Sequence, residues 1–209
     1  RVASRGLSVR WWRVLPRGVQ QEADISDSAD ASQYQISAED VGCALVAMCD
    51  GQSARTGDVV LPNKLMLKTL EYKCAKPPHE FKLHESEAAA AKGSAGKECV
   101  LQLYTDQLKL LDGGKVQKTR LKQLYAAGVH VRFSRGSDVE FVLSLGRMKK
   151  RPNQLCLCTE TSQQRDMLLL SLCAFSEADW LDAALKGDPP PCLSLQNANW
   201  KRMNEGLRS

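Results

Sequence analysis

The sequence contains no long apolar run. Its longest largely apolar stretch, LLLSLCAF at 168–175, is far shorter than the roughly 18–20 residues that a membrane-spanning helix needs. Hydrophobic residues make up 43% and charged residues 25% of the 209 residues, values that are ordinary for a globular protein. The length predicts one large domain or two modest ones, and no segment is expected to span a membrane as a helix.

Histidine is scarce, and the sequence motifs of catalysis are missing. The three histidines are His79, His84 and His130. The pair His79-Glu80 is not followed by the second histidine of a metalloprotease helix. The turn DGGK at 112–115 lacks the spacing of a phosphate-binding loop, and no nucleophile elbow or paired-carboxylate pattern occurs. We therefore predict a non-enzymatic protein with no cofactor, no metal ion and no small-molecule substrate.

The cysteines form neither a metal-binding nor a disulfide pattern. No CxxC pair occurs, and no histidine lies close in sequence to Cys156 and Cys158, so a zinc site is not expected. Most cysteines lie in apolar or alternating runs, where a free thiol behaves as a small apolar group. We expect reduced thiols and, from the usual redox compartments, a cytoplasmic protein. The eight residues are Cys43, Cys49, Cys74, Cys99, Cys156, Cys158, Cys173 and Cys192.

Positive charge is concentrated in the second part of the chain. Residues 1–63 carry 6 Lys and Arg against 8 Asp and Glu, which leaves 23 against 16 of the 29 basic and 24 acidic residues for the remainder. Segment 115–151 has ten basic residues and only Asp138 and Glu140 against them. Such a segment predicts an acidic partner surface. The candidate anionic-ligand or partner patch comprises Lys115, Lys118, Arg120, Lys122, Arg132, Arg135, Lys149, Lys150 and Arg151.

Two kinds of partner fit this basic set. An inositol phosphate or an acidic phospholipid surface is one, if the cations converge on a single rim. The acidic tails of tubulin are another, and a solvated strand face with no ligand is the plain alternative. Nucleic acid is not expected, because few exposed aromatic residues accompany the cations.

From residue 97 the chain alternates in short segments that are separated by turns. The turn sequences 112–114 (DGG) and 135–137 (RGS) bound about six short strands at hairpin spacing. A helix follows at 161–175, with Thr161 or Ser162 as its N-cap and apolar residues on one face. A small antiparallel barrel closed by such a helix is the order of a pleckstrin-homology-type fold. In strand order the segment resembles phosphotyrosine-binding domains and the third lobe of FERM domains.

The first part of the chain is also β-rich and contains a distinctive corner. The stretch 7–14 (LSVRWWRV) has the alternation of a half-buried strand. The stretch 34–49 (YQISAEDVGCALVAMC) reads as a strand, a turn and a returning strand. In an immunoglobulin-like β-sandwich, a turn with D-x-G precedes the strand that returns to the second sheet, and an aromatic residue packs near an inner tryptophan. The structural motif residues are Trp12 (or Trp11 as the inner tryptophan), Tyr34, Asp40, Gly42 and Leu45.

These motifs together resemble the repeat of the auxin-induced-in-root-cultures family, microtubule-associated proteins of plants and kinetoplastid protists. The matching positions are Ser8, Trp12, Arg13, Val14, Tyr34, Ser37, Glu39, Asp40, Val41, Gly42, Leu45 and Gly57. The resemblance implies an Ig-like repeat followed by a C-terminal region like 79–175, and an association with microtubules. We expect the 209 residues to be a piece of a longer protein. The first domain then either is incomplete or packs on the second one.

The predicted organisation has four parts. Residues 1–63 form a partial Ig-like repeat, 64–96 a linker with an edge strand and a low-complexity insertion, 97–186 a pleckstrin-homology-like domain, and 187–209 a disordered tail. Residues 64–73 (KLMLKTLEYK) fit a helix, a strand or a linker. The predicted function is a cytoplasmic, cytoskeleton-associated scaffold or adaptor that binds proteins. Tubulin is one candidate partner. The alternative is a peripheral membrane adaptor that binds phosphoinositides through a basic rim.

Overall fold

The fold is mainly β, and the residues that the structure describes form two antiparallel sheets and three α-helices. The computed structural model describes residues 9–15, 20–22, 33–55, 60–86, 96–114, 118–133, 137–146 and 153–188. The smaller sheet has the strand order β2-β1-β3-β4. Its strands are β1 (Val9–Val14), β2 (Gln20–Glu22), β3 (Ala44–Cys49) and β4 (Gln52–Arg55).

The larger sheet has seven strands in the order β8-β7-β6-β5-β11-β10-β9. All of its neighbouring strands pair antiparallel. Consecutive strands pair from β5 to β8 and from β9 to β11, and the two groups are joined where β11 pairs with β5. The strands are β5 (His79–Glu85), β6 (Glu98–Leu103), β7 (Gln107–Asp112), β8 (Thr119–Leu124), β9 (Val129–Phe133), β10 (Glu140–Leu145) and β11 (Asn153–Cys158).

Helix α2 (Ser162–Ser176) closes this sheet, as the sequence predicts. Thr161 caps it, because the threonine side chain accepts a hydrogen bond from the backbone of Gln164. Leu168, Leu172 and Phe175 on one face belong to the core of the seven-stranded sheet. The expectation of a mainly β, pleckstrin-homology-like fold with a closing helix is therefore confirmed.

Two further helices pack on the other face of α2. Helix α1 (Lys64–Ala75) and helix α3 (Ala178–Lys186) contact α2 and each other. Their shared core contains Leu67, Leu70, Leu169, Leu170 and the fully buried Trp180. The sequence left α1 undecided and did not anticipate α3, although Gly187 at a left-handed C-cap is a usual helix-stop signal.

Several local expectations differ from the structure. The strand at 79–85 is not an edge strand, because β5 lies between β6 and β11 in the larger sheet. The stretch 34–36 (YQI) is not a strand. The sequence pattern gives no strand at 20–22 or 52–55, but these residues form the edge strands β2 and β4 of the smaller sheet. These strands are short and polar, so no apolar alternation marks them. The low-complexity insertion at 87–95 and the tail after residue 188 lie outside the described residues.

The smaller sheet packs on the helical layer through the corner that follows residue 37. Ala38 and Val41 are buried in the same apolar cluster as Leu67 of α1 and Leu169 and Trp180 of the C-terminal helices. The corner of the first part of the chain therefore packs on the helices.

Candidate functional site

Asp40 is the centre of a buried polar cluster built from the motif residues of the first domain. Its side chain is 0% exposed. It accepts hydrogen bonds from Arg13 Nε at 2.6 Å, from the Tyr34 hydroxyl at 3.1 Å and from the backbone N–H of Ser37 at 2.8 Å. Arg13 Nη2 in turn donates to the Tyr34 hydroxyl at 3.0 Å. The expected backbone hydrogen bond to the turn aspartate is thus present, with an arginine and a tyrosine added.

The cluster continues across to helix α2 through Glu39. One Glu39 oxygen lies 3.1 Å from Arg13 Nη1, and the other lies 3.8 Å from Arg165 Nη1. Beside it, Asp166 Oδ2 accepts a hydrogen bond from the backbone N–H of Ala38 at 2.9 Å. A charged side chain of β1, two of the corner and two of α2 therefore form one network between the sheet and the helix.

Burial and charge act against each other in this network. Burial raises the pKa of Glu39, and the guanidinium groups of Arg13 and Arg165 oppose that rise. Burial disfavours the charged form of Arg13, yet the carboxylates of Asp40 and Glu39 outweigh it and raise the pKa of Arg13. Burial also raises the pKa of Tyr34. Arg13, Asp40 and Tyr34 pair with one another, which is the arrangement of a buried structural connection.

The other motif residues shape the corner around this cluster. Trp11 stacks on Tyr34 with a centroid distance of 5.4 Å, so Trp11 is the tryptophan partner. Trp12 instead packs with a separate cluster that includes Val14 and Val46. Gly42 has φ +83°, a conformation that favours glycine, and Leu45 is buried.

Four members of the predicted basic patch are among the residues that the structure describes. Lys118 precedes β8, and Arg120 and Lys122 lie on it, whereas Arg132 lies on β9. These two strands are at opposite ends of the sheet order. Arg120 also forms an ion pair with the buried Glu85. The remaining members, Lys115, Arg135, Lys149, Lys150 and Arg151, lie outside the described residues.

His79 and Ser171 form a buried contact between β5 and α2. His79 Nδ1 lies 3.2 Å from Ser171 Oγ, and Ser171 also donates to the carbonyl of Met167. Both residues are buried, and burial lowers the pKa of His79 to about 4. A serine held by its own helix beneath a sheet has no room for a substrate, so this pair serves packing between β5 and α2.

Cysteine and metal chemistry have little support in the described residues. The seven cysteines in that part of the chain are free. Burial raises the pKa of Cys99 to about 11 and the pKa of Cys173 well above its ordinary value, which disfavours reactive thiolates. Within the described ranges no group of three His, Cys, Asp or Glu residues could hold a metal ion. No helix there is long and apolar enough to cross a membrane.

Sequence reasoning missed Arg165, Asp166 and the link they make to the corner. Glu39 and Arg165 are 126 positions apart, and neither stands out in its local pattern. Arg165 and Asp166 continue the polar start of α2, which reads SQQRD before its first apolar residue, so no local signal marks them.

No protein-family model matches the sequence, and no curated protein matches it. Similar solved structures are pleckstrin-homology domains. The Slm1-PH domain in complex with phosphoserine has a TM-score of 0.36 and 11% identity, over 49% of this chain and 98% of that chain. The PH domain of human oxysterol binding protein-related protein 11 has a TM-score of 0.37 and 15% identity, over 51% and 88%.

The DH/PH domains of p115-RhoGEF have a TM-score of 0.36 and 15% identity, over 48% of this chain and 30% of that chain. This chain thus matches less than a third of the DH/PH structure. Because all three TM-scores are low, the fold assignment rests on the strand order and closing helix of the chain itself.

Proposed function

We propose that the chain is a non-enzymatic scaffold or adaptor module of the cytoplasm that binds cytoskeletal proteins, tubulin among them. In this proposal its first part is a repeat of the auxin-induced-in-root-cultures type. The observation that carries it is the Asp40 cluster. Arg13, Tyr34, Ser37 and Asp40 match the repeat motif, and they meet in space although they are separated in sequence.

Rigidity is the property that the cluster gives to such a scaffold. The ion pairs and hydrogen bonds of Glu39 and Asp166 hold the smaller sheet against α2. Two binding surfaces on one rigid body keep a fixed separation, which favours simultaneous binding to a repeating partner such as a filament.

Strand β4 is the protein-binding edge that we assign to this scaffold. It pairs with β3 on one side, it ends the strand order of its sheet, and its four residues are all exposed. An exposed edge can bind an extended peptide as an added strand, through main-chain hydrogen bonds.

Co-sedimentation of the full chain with microtubules tests this proposal. Neighbouring residues of an edge strand direct their N–H groups alternately toward the adjacent strand and outwards. Proline has no backbone N–H. One of the two variants Ser53→Pro and Ala54→Pro therefore loses an outward N–H and keeps the pairing of β3 with β4, whereas the other loses an N–H of that pairing. Thermal unfolding identifies the variant that keeps the pairing as the more stable of the two.

We expect the wild type to co-sediment with microtubules and the more stable proline variant to lose that binding. Failure of the wild type to bind microtubules at low salt would refute the cytoskeletal proposal. Unchanged binding by both proline variants would refute β4 as the binding edge.

Phosphoinositide binding through the basic rim is the second candidate, and it rests on the exposed side chains of Lys118 and Lys122 near one end of β8. Arg120 is unsuitable for a test, because its replacement would leave the buried Glu85 without its ion-pair partner. We expect Lys118→Glu/Lys122→Glu to abolish sedimentation with phosphoinositide vesicles if this rim binds them. Equal sedimentation of variant and wild type would rule out these two lysines.

A further inference from the structure

The outer face of α1 exposes large apolar side chains that the fold leaves uncovered. Leu65 is 74% exposed, Tyr72 is 57% exposed, and Leu61, just before the helix, is 43% exposed. Leu65 and Tyr72 are seven positions apart, which is nearly two turns, so they lie on one face about 10 Å apart along the axis. The opposite face carries the buried Leu67 and Leu70.

Lysine side chains lie along one side of this apolar face and at its C-terminal end. Lys68 lies three positions after Leu65 and four before Tyr72, and Lys76 follows Tyr72 by four. Lys64 and Lys68 are exposed, and neither has an ion-pair partner in the described part of the chain. Lys76 Nζ lies 4.8 Å from the centre of the Tyr72 ring. Glu71 is the one acidic residue in the sequence of α1.

We propose that this face of α1 lies on an anionic lipid bilayer. A helix with protruding apolar residues and flanking lysines places the apolar groups at the boundary of headgroups and acyl chains. The lysine stems reach along it to the acidic headgroups. Tyr72 has an apolar ring and a polar hydroxyl, which suits the same boundary.

The shape of the surface favours a bilayer over an acidic polypeptide. The convex outer face of α1 carries the exposed Leu65 and Tyr72, and the exposed Leu61 lies just before the helix. The inner face of α1 is already covered by α2 and α3. A protein partner would need a groove complementary to this stripe, whereas lipids rearrange around protruding side chains. The surface is also distinct from the predicted basic rim, whose described members lie on β8 and β9.

Vesicle sedimentation of the full chain tests the proposal. The vesicles contain equal parts of phosphatidylcholine and phosphatidylserine, and pure phosphatidylcholine vesicles serve as the uncharged comparison. The variants are Leu65→Ser/Tyr72→Ser and Lys64→Glu/Lys68→Glu. Lys82→Glu on β5, another exposed lysine, is the matched control. All four altered side chains of α1 are exposed, so the fold should be retained.

We expect binding to the anionic vesicles at low salt, little binding to the neutral ones, and a loss of affinity at high salt. At about 1 kcal/mol for each lysine, loss of the two positive charges should weaken binding by about 30-fold, and the two added negative charges should make the loss in Lys64→Glu/Lys68→Glu larger than that. Leu65→Ser/Tyr72→Ser should reduce sedimentation to background, and Lys82→Glu should bind like the wild type.

No sedimentation of the wild type at low salt would overturn the proposal, as would equal binding by the α1 variants. Loss of binding only in Lys118→Glu/Lys122→Glu would place the lipid site on β8 instead. Retention on immobilised polyglutamate without binding to vesicles would identify an acidic polypeptide and refute the bilayer. The inference is independent of cytoskeletal binding, because the α1 variants should co-sediment with microtubules as the wild type does.

Discussion

Replacement of Asp40 by alanine tests whether the corner cluster holds the smaller sheet to α2. Asp40 is fully buried, and its carboxylate accepts hydrogen bonds from Arg13, Tyr34 and Ser37. In Asp40→Ala the guanidinium of Arg13 stays buried, with Glu39 as its remaining carboxylate. Removing one partner of a buried ion pair costs about 3–5 kcal/mol, because the other charge remains desolvated.

We therefore expect Asp40→Ala to lower the free energy of unfolding by about 4 kcal/mol. Asp112→Ala is the matched control, since it breaks the exposed pair of Lys97 and Asp112 and should cost far less. In the double variant Arg13→Met/Asp40→Leu no buried charge is left alone. Its cost should therefore be smaller than the sum of the two single replacements.

Urea denaturation gives the free energies, and hydrogen exchange locates the effect. In Asp40→Ala the amides of β1 and β3 should lose protection before those of β6 and β10, because the smaller sheet is the part that is released. A change in unfolding free energy below about 1 kcal/mol, the net value of a single ordinary hydrogen bond, would refute the cluster as the connection.

Two further predictions concern pH and backbone conformation. Burial lowers the pKa of His79 from 6.5 to about 4, so between these pH values the unfolded chain binds a proton that the folded chain does not. The free energy of unfolding should thus fall by about 3 kcal/mol as the pH falls through this window. His79→Phe should remove that part of the slope in urea titrations, and an unchanged slope would contradict it. An alanine Cβ at Gly128 would lie 2.8 Å from the carbonyl oxygen of Gly146, at φ +100°. Gly51 has φ +81° and open space, so Gly51→Ala should cost about 1–2 kcal/mol and Gly128→Ala more. Equal melting temperatures for the two variants would refute the predicted clash.

The sequence was sufficient for elements whose signals are local. The N-cap Thr161 and the apolar spacing behind it predicted α2, and the turns at 112–114 and 135–137 separated the strands on either side. Few known architectures combine this number and order of strands with a closing helix, so the fold class could be predicted.

Contacts between distant segments could not be predicted in the same way. The pairing of Glu39 with Arg165 depends on how two parts of the chain meet, and no spacing rule covers it. Helix α1 was ambiguous because its exposed face carries Leu65 and Tyr72, which blurs the contrast between its inner and outer sides. The basic residues cluster along the sequence, yet Lys122 and Arg132 belong to strands at opposite ends of the sheet order.

Because Glu39 contacts α2, neither half of the chain can be removed or replaced without loss of contacts in the other half. A shortened chain that begins at Lys64 would keep the seven-stranded sheet and all three helices. Such a chain would nevertheless lack the ion pair of Glu39 with Arg165, and the apolar cluster around Leu169 would lack Ala38 and Val41. Exchange of the first half for another domain would preserve the joint only if the incoming corner supplied a carboxylate and small apolar residues at those places. Such an exchange is therefore limited by matching at the joint, and the unit that folds includes residues from both halves of the chain.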